Sequence, residues 1–239
     1  MARKGQWQKR LANAVGKRAQ HSPCGGSQTG LRKTANYRLG LLLRQPISNA
    51  MRIISGEWRS RKLIAPKGDN TRPTADRTRE TLFSMLASRL GGFEDLRVLD
   101  LFSGSGALGL EALSRGAAHC CFVEQDATAL DALEANIAAL GAGERSEVRR
   151  GSVLSLGTAQ QGFDLVLLDP PYGSGAGEVA LDKLARLGWI APSAWISLET
   201  GRKEDVSAKR YQTEKTRDIG KARLTLLRPN ALAEQQERI

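Results

Sequence analysis

A buried strand, a glycine turn and a helix follow one another without a break from Arg97 to Arg115, and this stretch restricts the fold more than any other. Val98-Leu99-Asp100-Leu101 reads as the strand, Ser103-Gly104-Ser105-Gly106 as the turn and Ala107–Arg115 as the helix. A strand that gives way to a helix rejoins its sheet by a crossover, which makes the next strand parallel. The alternation continues. His119–Glu124 reads as a strand, Ala127–Leu140 as a helix with Leu130, Leu133, Ile137 and Leu140 on its apolar stripe, and Glu147–Arg150 as a short strand. Phe163–Leu168 is a strand, Glu178–Leu187 a helix and Ala194–Glu199 a strand. Lys209–Thr216 and Ala222–Leu227 read as a terminal hairpin around Asp218-Ile219-Gly220. The predicted class is α/β, a mostly parallel sheet with both faces covered.

A second stretch marks where such a sheet would act. Phe163–Leu168 runs straight into Asp169-Pro170-Pro171-Tyr172. Neither proline has an N–H for a ladder and each fixes φ, so the strand stops there. Pro170 also pushes Asp169 into an extended conformation. A carboxylate, a stiff turn and an aromatic ring are held beyond the carboxyl end of a strand, the edge where open α/β sheets bind ligands. Alone, a Pro-Pro pair reads more readily as a plain strand terminator. The glycine turn upstream is what points to a site.

That turn admits two ligands. Gly104, Gly106 and Gly109 satisfy G-x-G-x-x-G, and Glu124 lies 20 residues after Gly104. Taken alone, this is the dinucleotide fingerprint, and S-adenosylmethionine competes with a nicotinamide or flavin dinucleotide for it. A dehydrogenase has no need of an Asp-Pro-Pro-aromatic turn at a later strand end. Asp100, on the strand before the glycines, also suits a cationic ligand.

Four segments then carry a family resemblance: Met51-Arg52-Ile53-Ile54-Ser55-Gly56-Glu57-Trp58-Arg59 with Arg61-Lys62-Leu63; Arg72-Pro73-Thr74-Ala75-Asp76-Arg77-Thr78-Arg79-Glu80-Thr81-Leu82-Phe83; Leu99 to Gly116; and Asp169 to Tyr172. The chain resembles the class I S-adenosylmethionine-dependent methyltransferases that modify exocyclic amines on bases. It is more similar still to the RsmD-type family that methylates N2 of a guanine in 16S ribosomal RNA. The resemblance covers residues 51–228, and the Arg72–Phe83 segment is its specific part. It implies a Rossmann-like sheet of seven strands in the order 3-2-1-4-5-7-6 with one antiparallel strand.

The resemblance also implies roles. Asp169, Pro170, Pro171 and Tyr172 would form the catalytic turn: hydrogen bonds from the acceptor amine to Asp169 and to the Pro170 carbonyl free a lone pair, and Tyr172 stacks on the base. Asp100, Phe102, Gly104, Gly106, Glu124, Gln125, Ser152 and Val153 would surround S-adenosylmethionine, with Glu124 accepting both ribose hydroxyls. The wider class often carries an Asp after the third strand to read the adenine amine. Here Ser152 follows Gly151, and backbone groups near Ser152 and Val153 would serve instead. Direct methyl transfer needs no metal, and none is expected.

The basic residues have two readings. Residues 52–65 alternate moderately and read as a β-hairpin or paired strands, with Gly56 at a turn or bulge and Arg52, Arg59, Arg61 and Lys62 on a basic face. The face serves either as an ordinary edge, where basic residues discourage aggregation, or as an RNA contact. Thr74 caps a helix that ends at Gly91-Gly92. Arg77 and Arg79 oppose its dipole, so they either pair with Asp76 and Glu80 or, with Arg72, meet phosphate. The resemblance favours phosphate.

Three further readings stay beside this one: an adenine-N6 methyltransferase, which would need sequence for target recognition that the core leaves no room for; a glutamine methyltransferase, which resembles Asn-Pro-Pro-Tyr more than Asp-Pro-Pro-Tyr; and a non-catalytic RNA-binding module. Cys24, Cys120 and Cys121 have no metal-ligand spacing, and the last two read as reduced core thiols. His21 and His119 have no carboxylate companion in any motif. No apolar run approaches the ~18 residues of a membrane helix. The expected partner is 16S ribosomal RNA within a small-subunit assembly particle, met by a cytoplasmic monomer.

The net charge of +11 is concentrated in the first 50 residues, which carry ten Lys or Arg and no acid, leaving 26 basic against 25 acidic residues in the rest. Four regions follow: a basic extension (1–50), an RNA-contact hairpin and helix (51–95), the methyltransferase domain (96–228) and a polar tail (229–239). The composition of the extension predicts disorder. It also fits a basic arm on RNA, an organelle-targeting peptide or a mis-called start, since Met51 begins the segment like the family's own start. A chain beginning at Met51 is expected to fold and to methylate as well as the full chain at moderate salt. A large loss of activity that lower salt restores would assign the extension to RNA.

Overall fold

Hydrogen bonding along the sheet follows the predicted alternation. The computed structural model describes residues 51–66, 73–204, 206 and 210–230. The extension over 1–50, Arg72 and residues 231–239 of the tail lie outside them. The elements run α1 (Pro73–Leu90), β1 (Arg97–Leu101), α2 (Ala107–Ser114), β2 (His119–Glu124), α3 (Ala127–Leu140), β3 (Ser146–Arg150), β4 (Phe163–Leu168), α4 (Ala176–Arg186), β5 (Ile190–Gly201), β6 (Tyr211–Ile219) and β7 (Ala222–Pro229). The seven strands form one sheet in the order β3-β2-β1-β4-β5-β7-β6. Strands β1 to β5 pair in parallel, and β7 runs antiparallel to β5 and β6.

Alternation along each strand splits the apolar residues between two layers. Val98, Cys120, Phe122, Leu165 and Leu167 face one cluster with Leu110, Leu113 and Leu133. Leu99, Leu101, Cys121, Val123, Val166, Leu168, Ile196 and Leu198 face the other with Leu181 and Leu184 of α4. Burial pushes the Cys120 thiol up, and raises that of Cys121 to about 12. Both are therefore protonated thiols in the core.

Several boundaries shift by one residue or more from the sequence reading, and three shifts have a physical reason. Helix α1 opens at Pro73, a position where the missing N–H costs nothing, so Thr74 lies inside the helix rather than capping it. Strand β5 begins four residues before Ala194, because a register shift between Phe163 and Leu165 lets Ile190 pair with Phe163 across Pro192. Strand β6 continues to Ile219, which pairs with Ala222 around the two-residue turn Gly220-Lys221. Gly220 there has φ +61°.

The 51–66 segment is a short, irregular antiparallel pairing rather than two regular strands. Its only strand pairing among the described residues is one antiparallel bridge, Arg52 to Lys62. Ile53 N donates to the Arg61 carbonyl at 2.9 Å and Leu63 N to the Met51 carbonyl at 2.8 Å on either side of that bridge, while other donors of the segment go to α2. Ile54 N and Ser55 N donate to the Glu111 carboxylate at 2.7 and 3.0 Å, and Trp58 N donates to Ser114 Oγ at 3.0 Å. Gly56 has φ +87°, and a Cβ built on it would stand 1.8 Å from the Ser114 carbonyl oxygen. Only glycine lets the turn approach so closely. Ile53, Trp58 and Leu63 then join Leu82, Phe83, Leu86 and Phe93 in the same cluster as Val98 and Leu110.

Glu111 is fully buried, and its Oε1 also accepts from Arg115 Nε at 2.7 Å. Removing one partner of a buried pair leaves an uncompensated charge and costs about 3–5 kcal/mol. Glu111→Ala is expected to lower the urea-unfolding free energy by an amount of that order. A loss below ~1 kcal/mol, the value of a surface pair, would show that the segment docks by its apolar contacts alone.

Candidate active site

Register places the candidate groups in one row. Leu101 pairs with Val123 on one side and with Leu168 on the other, and Leu168 pairs with Leu198. The next residue of each strand is Glu124, Phe102, Asp169 and Glu199, read in the order β2, β1, β4, β5 along the carboxyl edge. Strand order reverses between β1 and β4, and a crevice forms at such a switch point. A cavity of about 520 Å³ opens there. Its walls include Phe102, Glu124, Gln125, Ser152, Val153, Asp169, Pro170, Pro171 and Tyr172, together with Asp126 and Glu199.

Glu124 ties three pieces of backbone together. Its Oε2 accepts from Gly104 N at 2.8 Å, and its Oε1 accepts from Gln125 N and Asp126 N at 2.8 Å each. A carboxylate offers about four lone-pair sites, so one remains. As arranged, Glu124 has room for one further donor and not for the two of a ribose diol. Its own carbonyl accepts from Gly151 N, which fixes the start of the β3 loop. Ser152 then caps the short turn Val153–Ser155.

The glycine turn is shaped by packing as well as by conformation. Phe102 has φ +58°, the left-handed region, which costs a non-glycine residue about 1–2 kcal/mol. Gly106 has φ +79° and opens α2. A Cβ on Gly109 would stand 2.3 Å from the Phe122 ring and 2.5 Å from Cys120 Sγ, so α2 can rest on β2 only with glycine there. Gly104 and Gly106 are not among the residues that line the cavity.

Asp100 and Arg79 require correction. Asp100 does not line the cavity: it is fully buried, and its Oδ2 accepts from Gly109 N at 2.8 Å. Burial, and next the charges of Asp169 and Glu124, push its carboxyl well above the usual range. It holds the foot of α2 rather than a ligand. Arg79 is 5% exposed and donates to the Arg52 carbonyl at 2.6 Å and to Asp76 Oδ1 at 2.9 Å. Burial lowers its pKa despite the pull of Asp76. It is a bracket between α1 and the 51–66 segment and is not offered to phosphate. Arg52, Arg59, Arg61, Lys62 and Arg77 are exposed, and Arg61 donates to the Ala139 carbonyl at 2.6 Å.

The family described as conserved hypothetical protein 95 matches residues 51–228. Ribosomal RNA small subunit methyltransferase D of Escherichia coli is 42% identical over 153 residues, 64% of this chain and 76% of that one. The protein of that name from Haemophilus influenzae is 39% identical over 181 residues, 73% of this chain and 92% of that one. The chain belongs to the small subunit methyltransferase D family. A solved structure of a putative methyltransferase, yhhF, from Escherichia coli superposes with a TM-score of 0.67 at 36% identity, over 76% of this chain and 99% of that one.

Sequence reasoning within this methyltransferase family missed Glu199. Its Oε1 accepts from the Tyr172 hydroxyl at 2.6 Å. Burial raises its pKa, opposed by that hydrogen bond. Burial, and next the bond to Glu199, raise the Tyr172 hydroxyl far above its ordinary value. A signal was present: Ile196-Ser197-Leu198 is a buried strand that ends in an acid on the carboxyl side. Glu204 was missed as well. Its Oε1 accepts from Gly173 N at 2.9 Å and Gly201 N at 2.8 Å, so it pins the loop after the prolines.

The Tyr172 hydroxyl favours the charged form of Glu199, so removing it should raise the Glu199 pKa further. Carbon-13 titration of the side-chain carboxyl in Tyr172→Phe is expected to show that upward shift. A downward shift would mean that the two groups do not bond in solution.

Proposed function

We propose that this methyltransferase transfers a methyl group from S-adenosylmethionine to the exocyclic N2 amine of a guanine in 16S ribosomal RNA. The observation that carries the reading is the row of Glu124, Phe102 and Asp169 on one cavity wall, continued by Pro170-Pro171-Tyr172, in a chain of this family. The names of the relatives support small-subunit ribosomal RNA as the substrate class.

The cavity fits the donor in size, since sites for ligands of that class span roughly 300–1,000 Å³. It fits in chemistry too, with apolar walls at Phe102, Val123 and Val153 and one open lone pair on Glu124. Glu124 would hold a ribose hydroxyl, Phe102 and Val153 would flank the adenine, and backbone groups near Ser152 would meet its edge. When bound, S-adenosylmethionine supplies an activated methyl group on a sulfonium. Carboxylates in the same row favour a cation there.

Asp169 acts on the acceptor. A guanine amine has its lone pair delocalised into the ring. Accepting an N–H at Asp169 and another at the Pro170 carbonyl draws the nitrogen towards a pyramid and aims its lone pair at the methyl. Asp169 would hold the amine for in-line transfer, take the proton that the nitrogen gives up on receiving the methyl group, and pass it to water. Alignment of this kind contributes up to ~7–11 kcal/mol in favourable cases. Tyr172, half exposed at the rim, stacks on a base turned out of its RNA, a contact of ~1–3 kcal/mol. Arg52, Arg59, Arg61, Lys62 and Arg77 meet phosphate.

Mass mapping of modified bases in ribosomal RNA from cells with and without the gene tests the reading. One N2-methylguanine in 16S RNA should depend on the gene, and an N6-methyladenine in its place would overturn the assignment. In single-turnover assays on a small-subunit RNA–protein particle, Asp169→Ala should lower kcat by at least on the order of 100-fold, with S-adenosylhomocysteine affinity nearly unchanged in calorimetry. Near-normal turnover would reduce the turn to a strand terminator.

A further inference from the structure

The row at the carboxyl edge of the sheet does not end at Glu199. Glu199 pairs with Leu224 of β7, and Leu224 pairs with Arg217 of β6. Strands β4, β5, β7 and β6 are consecutive neighbours, so three spacings of about 4.7–4.9 Å put Arg217 roughly 14 Å along the row from Asp169. Arg202 N donates to the Lys221 carbonyl at 2.8 Å, which holds the loop after β5 against the β6–β7 turn. Arg202, Lys203, Arg217, Lys221 and Arg223 lie at this corner. We propose that the corner is a second phosphate-contact surface, which grips the RNA on the flank of the site opposite the 51–66 segment. This rests on the reading of the substrate as RNA.

Charge singles the corner out. Residues 51–239 carry 26 basic and 25 acidic residues, so the chain as a whole supplies no excess there. From Arg202 to Arg223 there are eight Lys or Arg against four Asp or Glu. Two of those acids are engaged within the fold. Glu204 Oε1 accepts from Gly173 N and Gly201 N. Asp218 meets Arg202 Nε at 3.1 Å and Arg223 Nε at 2.8 Å, and one carboxylate against two guanidiniums leaves positive charge over. Lys203, Arg217 and Lys221 are exposed and make no ion pair among the described residues.

An edge strand also carries basic residues to discourage aggregation. That role predicts charge spread along β6, all of which is exposed from Gln212 to Asp218. Tyr211-Gln212-Thr213-Glu214 instead holds no basic residue, Lys215 and Arg217 lie in the half nearer the carboxyl edge, and Arg202, Lys203 and Lys221 lie off the strand. The charge follows the site and not the strand. The row itself is acidic at Glu124, Asp169 and Glu199 and repels a phosphate backbone, so attraction has to come from its flanks. On one flank α2, packed on β1 and β2, carries the 51–66 segment. The corner occupies the other, beyond β5. Contacts to phosphate position a strand without reading its bases, which leaves the choice of base to the cavity between the two flanks.

The test compares the full chain with the triple variant Lys203→Ala/Arg217→Ala/Lys221→Ala, whose three residues line neither cavity. Dissociation constants for a small-subunit RNA–protein particle and for protein-free 16S ribosomal RNA are measured over a salt series. On a single strand each lost phosphate contact flattens the slope of log affinity against log salt by about 0.7, so the triple variant should lose about 2 in slope and at least about tenfold in affinity near physiological salt. In single-turnover assays the loss should fall on the particle concentration needed for half-saturation rather than on the saturated rate. S-adenosylhomocysteine affinity reports folding and should not change. Lys221→Glu, on the exposed turn, should weaken RNA binding several-fold by itself, and it decides the case if the triple variant does not fold. Unchanged affinity and slope overturn the proposal while guanine methylation stands. A loss on the particle that is absent on protein-free RNA would give the corner to a protein of the particle and overturn the proposal equally. A wild-type protein that methylates no guanine overturns the proposed function instead, and the binding data still decide the corner.

Discussion

Leu101, Val123, Leu168 and Leu198 share one rung of the parallel sheet, the last at which β1 pairs with β2 and β4 and β4 pairs with β5. The first residue past the rung is polar or strained in every case: Glu124, Phe102 at positive φ, Asp169 and Glu199. A one-residue slip of a strand would turn its side chains to the opposite face. The hydrophobic layers prevent the slip, because Leu99 and Leu101 belong to one cluster and Val98 to the other. The cavity is therefore positioned by core packing several residues away from it. Asp100 extends the same logic downwards: it accepts from Gly109 and so sets the height of α2 against β1.

Much of this was legible in the chain. Strand β1, the glycine turn and α2 carry their own punctuation, and Asp-Pro-Pro-Tyr announces a strand end with a polar group on it. The sheet order came from the family resemblance, since no local pattern encodes the sequence of neighbours. What the chain did not reveal was long-range polar pairing. Glu111 lies 57 residues from Ile54, and no periodicity predicts that its carboxylate takes the donors of a would-be hairpin. Arg79 looked like a cation misplaced at a helix start. Its partners are Asp76, one turn away, and the Arg52 carbonyl, 27 residues away. A charge pattern cannot separate a cation that waits for phosphate from one that a backbone oxygen has already taken. Glu199 was passed over for the opposite reason: the strand ahead of it reads as ordinary core.

The electrostatics of the edge point to a cationic ligand. Glu124, Asp169 and Glu199 stand in one row with Asp100 beneath, and like charges grouped at one edge repel. Burial raises the pKa of Asp100 and of Glu199, which penalises their charged forms. The protein relieves part of this by hydrogen bonding, through three backbone donors on Glu124 and the Tyr172 hydroxyl on Glu199. A sulfonium placed in the row would lower the same repulsion. Under the proposed function the same carboxylates would favour the donor's charge before transfer, and favour it less once the charge has gone.

The 51–66 segment and the glycine turn are mechanically one piece. Asn136 of α3 is buried: its Oδ1 accepts from Ile64 N at 2.7 Å, and its Nδ2 donates to the Ile64 carbonyl at 2.9 Å and to the Ser105 carbonyl at 3.0 Å. Ser105 lies between the two glycines of the turn, and its hydroxyl donates to Met51 Sδ at 3.3 Å. One amide thus bonds the end of the basic segment and the middle of the turn together, with every one of these bonds sheltered from water to some degree. A force on Arg52, Arg59 or Lys62 from a phosphate backbone would be borne by Asn136 and by the Glu111 carboxylate, both seated on helices that pack against β1 and β2. Backbone donors at Ile54, Ser55, Trp58 and Ile64 end on α2 and α3, which ties the surface proposed to meet RNA to the turn proposed to border the donor.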